Sequence, residues 1–147
     1  GRLSYLKNGN SIPLDSIYKH ISIATPYQEL IEEFSLIEFL KFHTNFKPFR
    51  KEINTSLFLE KTLLTSSAHK EIRYFSSGMK QRVKLGIAMY SDSEILFLDE
   101  PTSNLDQQGI DWYLKEIKQH MHERMVIICS NMTYEYEMCD HTLVLKK

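Results

Sequence analysis

Asp99 and Glu100 stand side by side after the apolar run Ile95-Leu96-Phe97-Leu98, and Pro101 follows at once. Two adjacent carboxylates at the end of a buried strand suit a hydrated Mg²⁺ and the polarisation of a water for attack on a phosphate. Acids also end strands simply because the next residue meets water, so the pair alone decides nothing. A second group is Ser76-Ser77-Gly78, directly ahead of Met79-Lys80-Gln81-Arg82. Serine is a good N-cap, a helix start offers unpaired N–H groups and partial positive charge to a phosphate, and glycine permits close approach. Lys70, Arg73, Lys80, Arg82 and Lys84 surround this segment, against the single acid Glu71. An ordinary capped helix with a solvated basic face is the alternative there.

The elements that must position these groups follow from local pattern. Asn8-Gly9-Asn10 predicts a turn, and Ile21-Ser22-Ile23-Ala24 a short strand ended by Pro26. Ser35 and Glu38 form a capping-box pair opening a helix to about Phe42, with Leu36, Ile37 and Leu40 on its apolar face. A second helix is predicted from Asn54 or Thr55 to Leu64, with Leu57, Phe58 and Leu64 inward. A third starts after Ser76 and runs to about Met89, with Met79, Val83 and Ile87 one turn apart.

From Glu94 the rhythm changes. The run up to Asp99 and Met125-Val126-Ile127-Ile128-Cys129 both read as strands buried on two faces of a parallel sheet. Between them lies a helix with Ile110, Leu114, Ile117 and Met121 on one face and Trp112 and Tyr113 at its edge. A short polar helix near Tyr134–Met138 and a third strand, His141–Leu145, complete the pattern. Alternating strands and helices predict an α/β class fold with an open parallel sheet, interrupted by a helical insert. The expected division is 1–28, an N-terminal strand segment and its following loop; 29–90, a helical subdomain; and 91–147, the C-terminal part of the α/β core.

Composition excludes other classes. The 147 residues carry 18 Lys+Arg against 19 Asp+Glu, a net charge of −1, which argues against a dedicated nucleic-acid binder. No apolar run is long enough to span a bilayer, so any link to a membrane must pass through a partner. Two cysteines, Cys129 and Cys139, exclude a disulfide framework and point to a reducing compartment. Cys129 is expected to be a small buried hydrophobe. His120 and His122 point to different helix faces, and His141 has no ligand pair nearby, so solvated or core histidines are expected rather than a metal site.

Order and spacing join these pieces. Phe75-Ser76-Ser77-Gly78-Met79, then Ile95-Leu96-Phe97-Leu98-Asp99-Glu100, then Ser103-Asn104-Leu105-Asp106 resemble the signature, the Walker B strand with its catalytic glutamate, and the D-loop of the ATP-binding-cassette (ABC) ATPases. The resemblance runs from about Ile21 onward. It implies a partial P-loop NTPase sheet of RecA-like type, with the helical insert as the family's helical subdomain. About fifty residues separate Gln28 from Ser76, too few for the long coiled coils of chromosome-structure and DNA-repair members.

Three departures stand beside the match. No glycine is followed by lysine, so the P-loop that cradles phosphates is not in this sequence. The chain is therefore expected to be the C-terminal part of a longer ATPase, binding ATP poorly on its own. The family's Q-loop glutamine aligns near Pro26; Gln28 is a candidate replacement, and an exposed loop glutamine the alternative. Ser130-Asn131 stands where the family has its switch histidine; asparagine donates a hydrogen bond but holds no positive charge and shuttles no proton.

The resemblance implies a head-to-tail pair of ATPase subunits with ATP and Mg²⁺ between them. Ser76, Ser77, Gly78 and Met79 would meet the γ-phosphate held by the partner, and Asp106 would couple the two sites. Asp99 would hold Mg²⁺ through water, with Gln28 reaching toward the metal and nucleotide. Glu100 would act as general base, with Asn131 facing the γ-phosphate. The implied partners are a second ABC ATPase subunit and a transmembrane permease. The implied location is cytoplasmic, at the inner face of the cell membrane. Met79 and Lys80 lean toward exporter-type signatures. A non-catalytic module lending its signature to another ATPase, and a soluble ABC ATPase acting on ribosomes or DNA, are the other readings.

Overall fold

The computed structural model describes residues 4–121 and 124–145. A hairpin comes first, β1 (Leu6–Lys7) and β2 (Asn10–Ser11), turning through Asn8 and Gly9 at φ 51° and 81°. Positive φ at both central residues is what a two-residue hairpin of this hand needs. β3 (Ile21–Ala24), β4 (Ile95–Asp99) and β5 (Met125–Cys129) form a parallel sheet in the order β3-β4-β5. Ile21 is level with Ile95, and Ile95 with Met125; β4 and β5 end together at Asp99 and Cys129, and β3 ends one residue earlier, with Ala24 level with Leu98.

The link from β3 to β4 holds three helices. α1 (Leu36–Thr44) starts at Ser35, whose hydroxyl oxygen accepts from the Glu38 N–H while the Glu38 carboxylate accepts from the Ser35 N–H. α2 (Thr55–Lys61) is capped by Asn54, which accepts from the Leu57 N–H at 2.9 Å. α3 (Ser77–Tyr90) is capped by Ser76. α4 (Gln107–His120) forms the crossover from β4 to β5 and is capped by Asp106. One apolar core unites insert and sheet: Leu36, Leu40 and Phe58 meet Val83, Leu85, Met89 and Tyr90 of α3, Leu96 and Leu98 of β4, and Tyr113 and Ile117 of α4.

Several expectations change in the structure. α2 ends at Lys61, and a separate 3-10 turn, Thr65–Ser67, follows. Residues 141–145 form no strand and lie exposed. The polar helix near Tyr134 is a single 3-10 turn, Thr133–Glu135. β5 alternates rather than being buried on both faces; Met125 and Ile127 are exposed, and so is Cys129, which was expected inside. β5 pairs with β4 on one side, and the described residues put no strand on the other.

α4 is rotated from the expected stripe. It buries Gly109, Trp112, Tyr113, Glu116, Ile117 and His120, while Ile110, Leu114 and Met121 are half-buried. Trp112 and Glu116 on that face find distant partners. Trp112 Nε1 donates to the Lys61 carbonyl at 2.6 Å, and Glu116 Oε2 accepts from Tyr90 Oη at 2.9 Å and Lys61 Nζ at 3.1 Å. His120 packs against Tyr90, ring centroids 5.4 Å apart, so it is a core histidine; His122 lies outside the described residues.

Two histidines, His120 buried and His43 half-buried, give the fold a pH dependence. His43 stacks on Phe49 at 5.6 Å and bonds Ser91 Oγ at 2.9 Å. Burial, with Lys47 nearby, lowers its pKa to about 4, and burial with the Arg124 charge does the same for His120. Both stay neutral in the fold, whereas the unfolded chain takes up their protons below about pH 6.5. Stability therefore falls as pH drops from about 6.5 toward 4, because the unfolded state binds more protons across that window. Urea midpoints at pH 7 and pH 5 test this: the gap should narrow when His43 is replaced by glutamine, and an unchanged gap would remove the assignment.

Candidate functional site

β4 delivers Asp99 to its carboxyl end, and the chain then turns sharply. Glu100 sits at φ 43°, in the left-handed region, and its N–H donates to the Cys129 carbonyl at 2.9 Å. Asn104, at φ 64°, is a second left-handed residue in the same loop. Such conformations are rare in non-glycine residues and need surrounding structure to hold them. The Ser103 N–H donates to the Glu100 carbonyl and the Leu105 N–H to that of Thr102, both at 3.0 Å. Asp99, Glu100, Ser130 and Asn131 are among the residues lining a cavity of about 910 Å³ that also takes in the whole of β5 and residues 139–145. The structure thus brings together the acid pair and the residue at the switch position.

The donor set there fits the ion that the sequence suggests. Mg²⁺ is held by one or two carboxylates and completes its shell with water and phosphate oxygens. Asp99 is half-buried beside the exposed Glu100, and the described residues hold no cluster of three or more His, Cys, Asp or Glu that would form an all-protein cage.

The second group lies at the start of α3. Ser76 Oγ accepts from the Met79 N–H at 3.2 Å, which leaves the first-turn N–H groups of Ser77 and Gly78 without i−4 partners. Ser76 and Ser77 are exposed; Gly78 and Met79 are half-buried. A side chain at Gly78 would put its Cβ 3.1 Å from the Asn104 carbonyl oxygen. The glycine therefore lets the helix start sit directly on the loop that follows the acid pair. Gln81 strengthens that contact, its Nε2 donating to the Pro101 carbonyl at 2.9 Å.

The basic residues of α3 are not a solvated face. Lys80 pairs with Glu32, Arg82 lies 3.4 Å from Asp106 Oδ1, and Lys84 Nζ donates to the Pro26 carbonyl at 2.8 Å. Burial, with Lys80 beside it, holds the Lys84 ammonium below its ordinary pKa. α3 thus ties the loop after β3 to the loop after β4. Asp106 is exposed, and its Oδ1 also accepts from the Gly109 N–H at 2.8 Å as the cap of α4.

Gln28 is half-buried rather than exposed, and its Oε1 is buried without a hydrogen-bond partner among the described residues. It lines a second cavity with Pro26, Glu32, Lys80 and Lys84, separate from the one that holds Asp99. Gln28 and the acid pair are therefore not gathered at one place. Sequence reasoning missed Glu135, a buried carboxylate that holds Thr102; its flanks are polar, and nothing in the local pattern marks it as an inside residue.

A parallel sheet with acids at its strand end, a serine-capped glycine turn beside them and an inserted helical segment together define an ABC-type ATPase fold. The sequence model of the family described as ABC transporter matches residues 7–103, and the chain belongs to that family. It is 32% identical over 127 residues to the uncharacterized ABC transporter ATP-binding protein YhcH of Bacillus subtilis, covering 80% of this chain and 42% of that protein. ABC transporter A family member 8 of Dictyostelium discoideum is 31% identical over 145 residues, 93% of this chain and 17% of that one. The chain thus spans less than half the length of these relatives.

Among solved structures, an ABC transporter ATP-binding protein from Pyrococcus furiosus superposes with a TM-score of 0.68 at 21% identity, over 86% of this chain and 63% of that one. A dimeric ATP-binding cassette in a post-hydrolysis state, bound to ADP and Pi, gives 0.70 at 17% identity, over 90% and 64%. At these identities the likeness establishes the fold. No described helix is long and apolar enough to cross a membrane.

Proposed function

We propose that this chain is the signature-to-switch part of an ATP-hydrolysing subunit of a bacterial-type ABC transporter, completed by a P-loop segment that its sequence does not contain. One observation carries the reading. The capped turn at Ser76–Gly78 packs on the loop after Asp99-Glu100, and Ser76, Ser77, Glu100, Asn104 and Asp106 are all exposed. In this reading the phosphate-binding turn and the loop of the acid pair would lie together where a second subunit could read them.

In this reading Ser76 Oγ and the Ser77 and Gly78 N–H groups receive the terminal phosphate of ATP held by a facing subunit. Asp99 would hold Mg²⁺, which when bound would offset phosphate charge. Glu100 accepts the proton of the attacking water. The insert, 29–90, would lie toward a transmembrane permease at the inner face of the cell membrane. Met79 and Lys80 support the exporter type. Gln28, in its separate cavity, and Asn131, which cannot carry charge, favour a second reading, a non-catalytic module that lends its signature to another ATPase.

Ser77 offers the test of the shared surface. It is exposed at the first helical position, so Ser77→Glu in the ATPase containing this chain should leave the melting temperature nearly unchanged. Its carboxylate would fill the phosphate approach and repel the phosphate. Light scattering in the presence of ATP should then find monomer where the parent forms dimer. ATP-dependent dimers that persist in the variant would overturn the assignment.

A further inference from the structure

We infer that Glu135 is a positioning residue for Glu100, acting through Thr102; this rests on Glu100 being the base of the proposed ATPase. Glu135 is 1% exposed, yet it belongs to the short 3-10 turn that follows the switch position. Its Oε1 accepts from the Thr102 N–H at 2.8 Å and from the Thr102 hydroxyl. The same hydroxyl lies 3.1 Å from Tyr134 Oη, and the Glu135 carbonyl accepts from Tyr113 Oη at 3.2 Å. Oε2 has no hydrogen-bond partner among the described residues.

A buried carboxylate is costly unless its bonds are good, so one placed here needs a reason. The reason lies two residues upstream of Thr102. Glu100 occupies a left-handed conformation, and the loop to Asn104 returns to that region once more. Backbone of this kind relaxes unless its neighbours over-determine it. Three anchors do so. The Cys129 carbonyl accepts from the Glu100 N–H, Gln81 Nε2 donates to the Pro101 carbonyl, and Glu135 accepts from the Thr102 N–H and hydroxyl. Of these, only the Glu135 anchor brings an acceptor from the segment after Asn131. The turn that aims Glu100 is therefore fixed to the segment that would face the terminal phosphate, and a displacement of one loads the other.

The test is a double-mutant cycle in the ATPase containing this chain. Glu135→Ala should lower kcat by roughly 10²-fold, the scale of a misplaced catalytic group, with KM for ATP nearly unchanged. In the Glu100→Gln background the same substitution should have little further effect on single-turnover hydrolysis. Hydrogen exchange of the Thr102 amide should quicken in Glu135→Ala whether or not the protein hydrolyses ATP. Glu135→Gln, which keeps an acceptor for Thr102, should restore most of kcat and the slow exchange. If the alanine variant does not fold, Thr102→Val, which deletes only the hydroxyl, enters the same cycle and should show the same non-additivity. An unchanged kcat, or an equal loss with and without Glu100, would overturn the positioning role. Full turnover in Glu100→Gln alone would instead reject Glu100 as base, and the exchange measurement would still report the anchor.

Discussion

Glu100→Gln in the ATPase that carries this chain is expected to keep ATP binding and lower turnover by roughly 10²–10⁴-fold, the range for loss of a general acid–base group. The substitution changes little except proton affinity. Glu100 is exposed, and the bond that fixes it runs from its backbone N–H to Cys129, which glutamine retains. Neither side chain is β-branched, so the left-handed backbone tolerates both alike. Glutamine still accepts a hydrogen bond from water but takes no proton. Equilibrium nucleotide binding and phosphate release, measured on the same preparation, separate the two effects. Tight binding with normal release would reject Glu100 as base and move weight to the non-catalytic reading.

Phe58→Ala is expected to destabilise the protein by about 3–5 kcal/mol, the usual cost of truncating a buried aromatic ring. Phe58 is fully buried. Its ring stacks on Phe49 at 5.3 Å and meets Tyr90 edge-on at 5.6 Å. It also lies in a notch of α3: a Cβ on Gly86 would stand 2.8 Å from Phe58 Cζ and 2.7 Å from Thr62 Cγ2. One ring thus joins α1's neighbourhood, α2 and α3. Against a total stability of about 5–15 kcal/mol the loss is large. Urea unfolding gives the value directly, with Tyr27→Ala, at a 91% exposed ring, as the control within about 0.5 kcal/mol. A loss below about 1 kcal/mol for Phe58 would mean that the insert does not pack on α3 as described.

Helix starts were legible because their determinants are local. Ser35 with Glu38, Asn54 and Ser76 each cap the helix that their spacing predicts. β3 and β4 were legible too, as short apolar runs between turn residues. The failures share one cause, dependence on partners distant in sequence. Met125-Val126-Ile127-Ile128-Cys129 is apolar enough for burial on both faces, but burial needs neighbours on each side, and β5 pairs with β4 alone among the described residues. Residues 141–145 have strand-like composition without a described ladder to join. On α4 the aliphatic stripe drew attention from Trp112, Tyr113 and Glu116, whose polar atoms make them poor core residues until Lys61, Tyr90 and the Glu135 carbonyl are brought near. The acid pair and the serine turn could be read from the sequence; their contact through Gly78 and Asn104 could not, because a glycine in a motif does not say which carbonyl it makes room for.

The double engagement of Asp106 Oδ1 limits what a contact on this loop can claim without cost. That oxygen both starts α4 and faces Arg82, so it is already satisfied within its own molecule. A neighbour that needs one acceptor can approach the other oxygen and leave the helix intact. A neighbour that claims both must fray the first turn of α4, at about 1 kcal/mol for a lost cap. Loss of that cap is the structural cost of any contact that claims both oxygens.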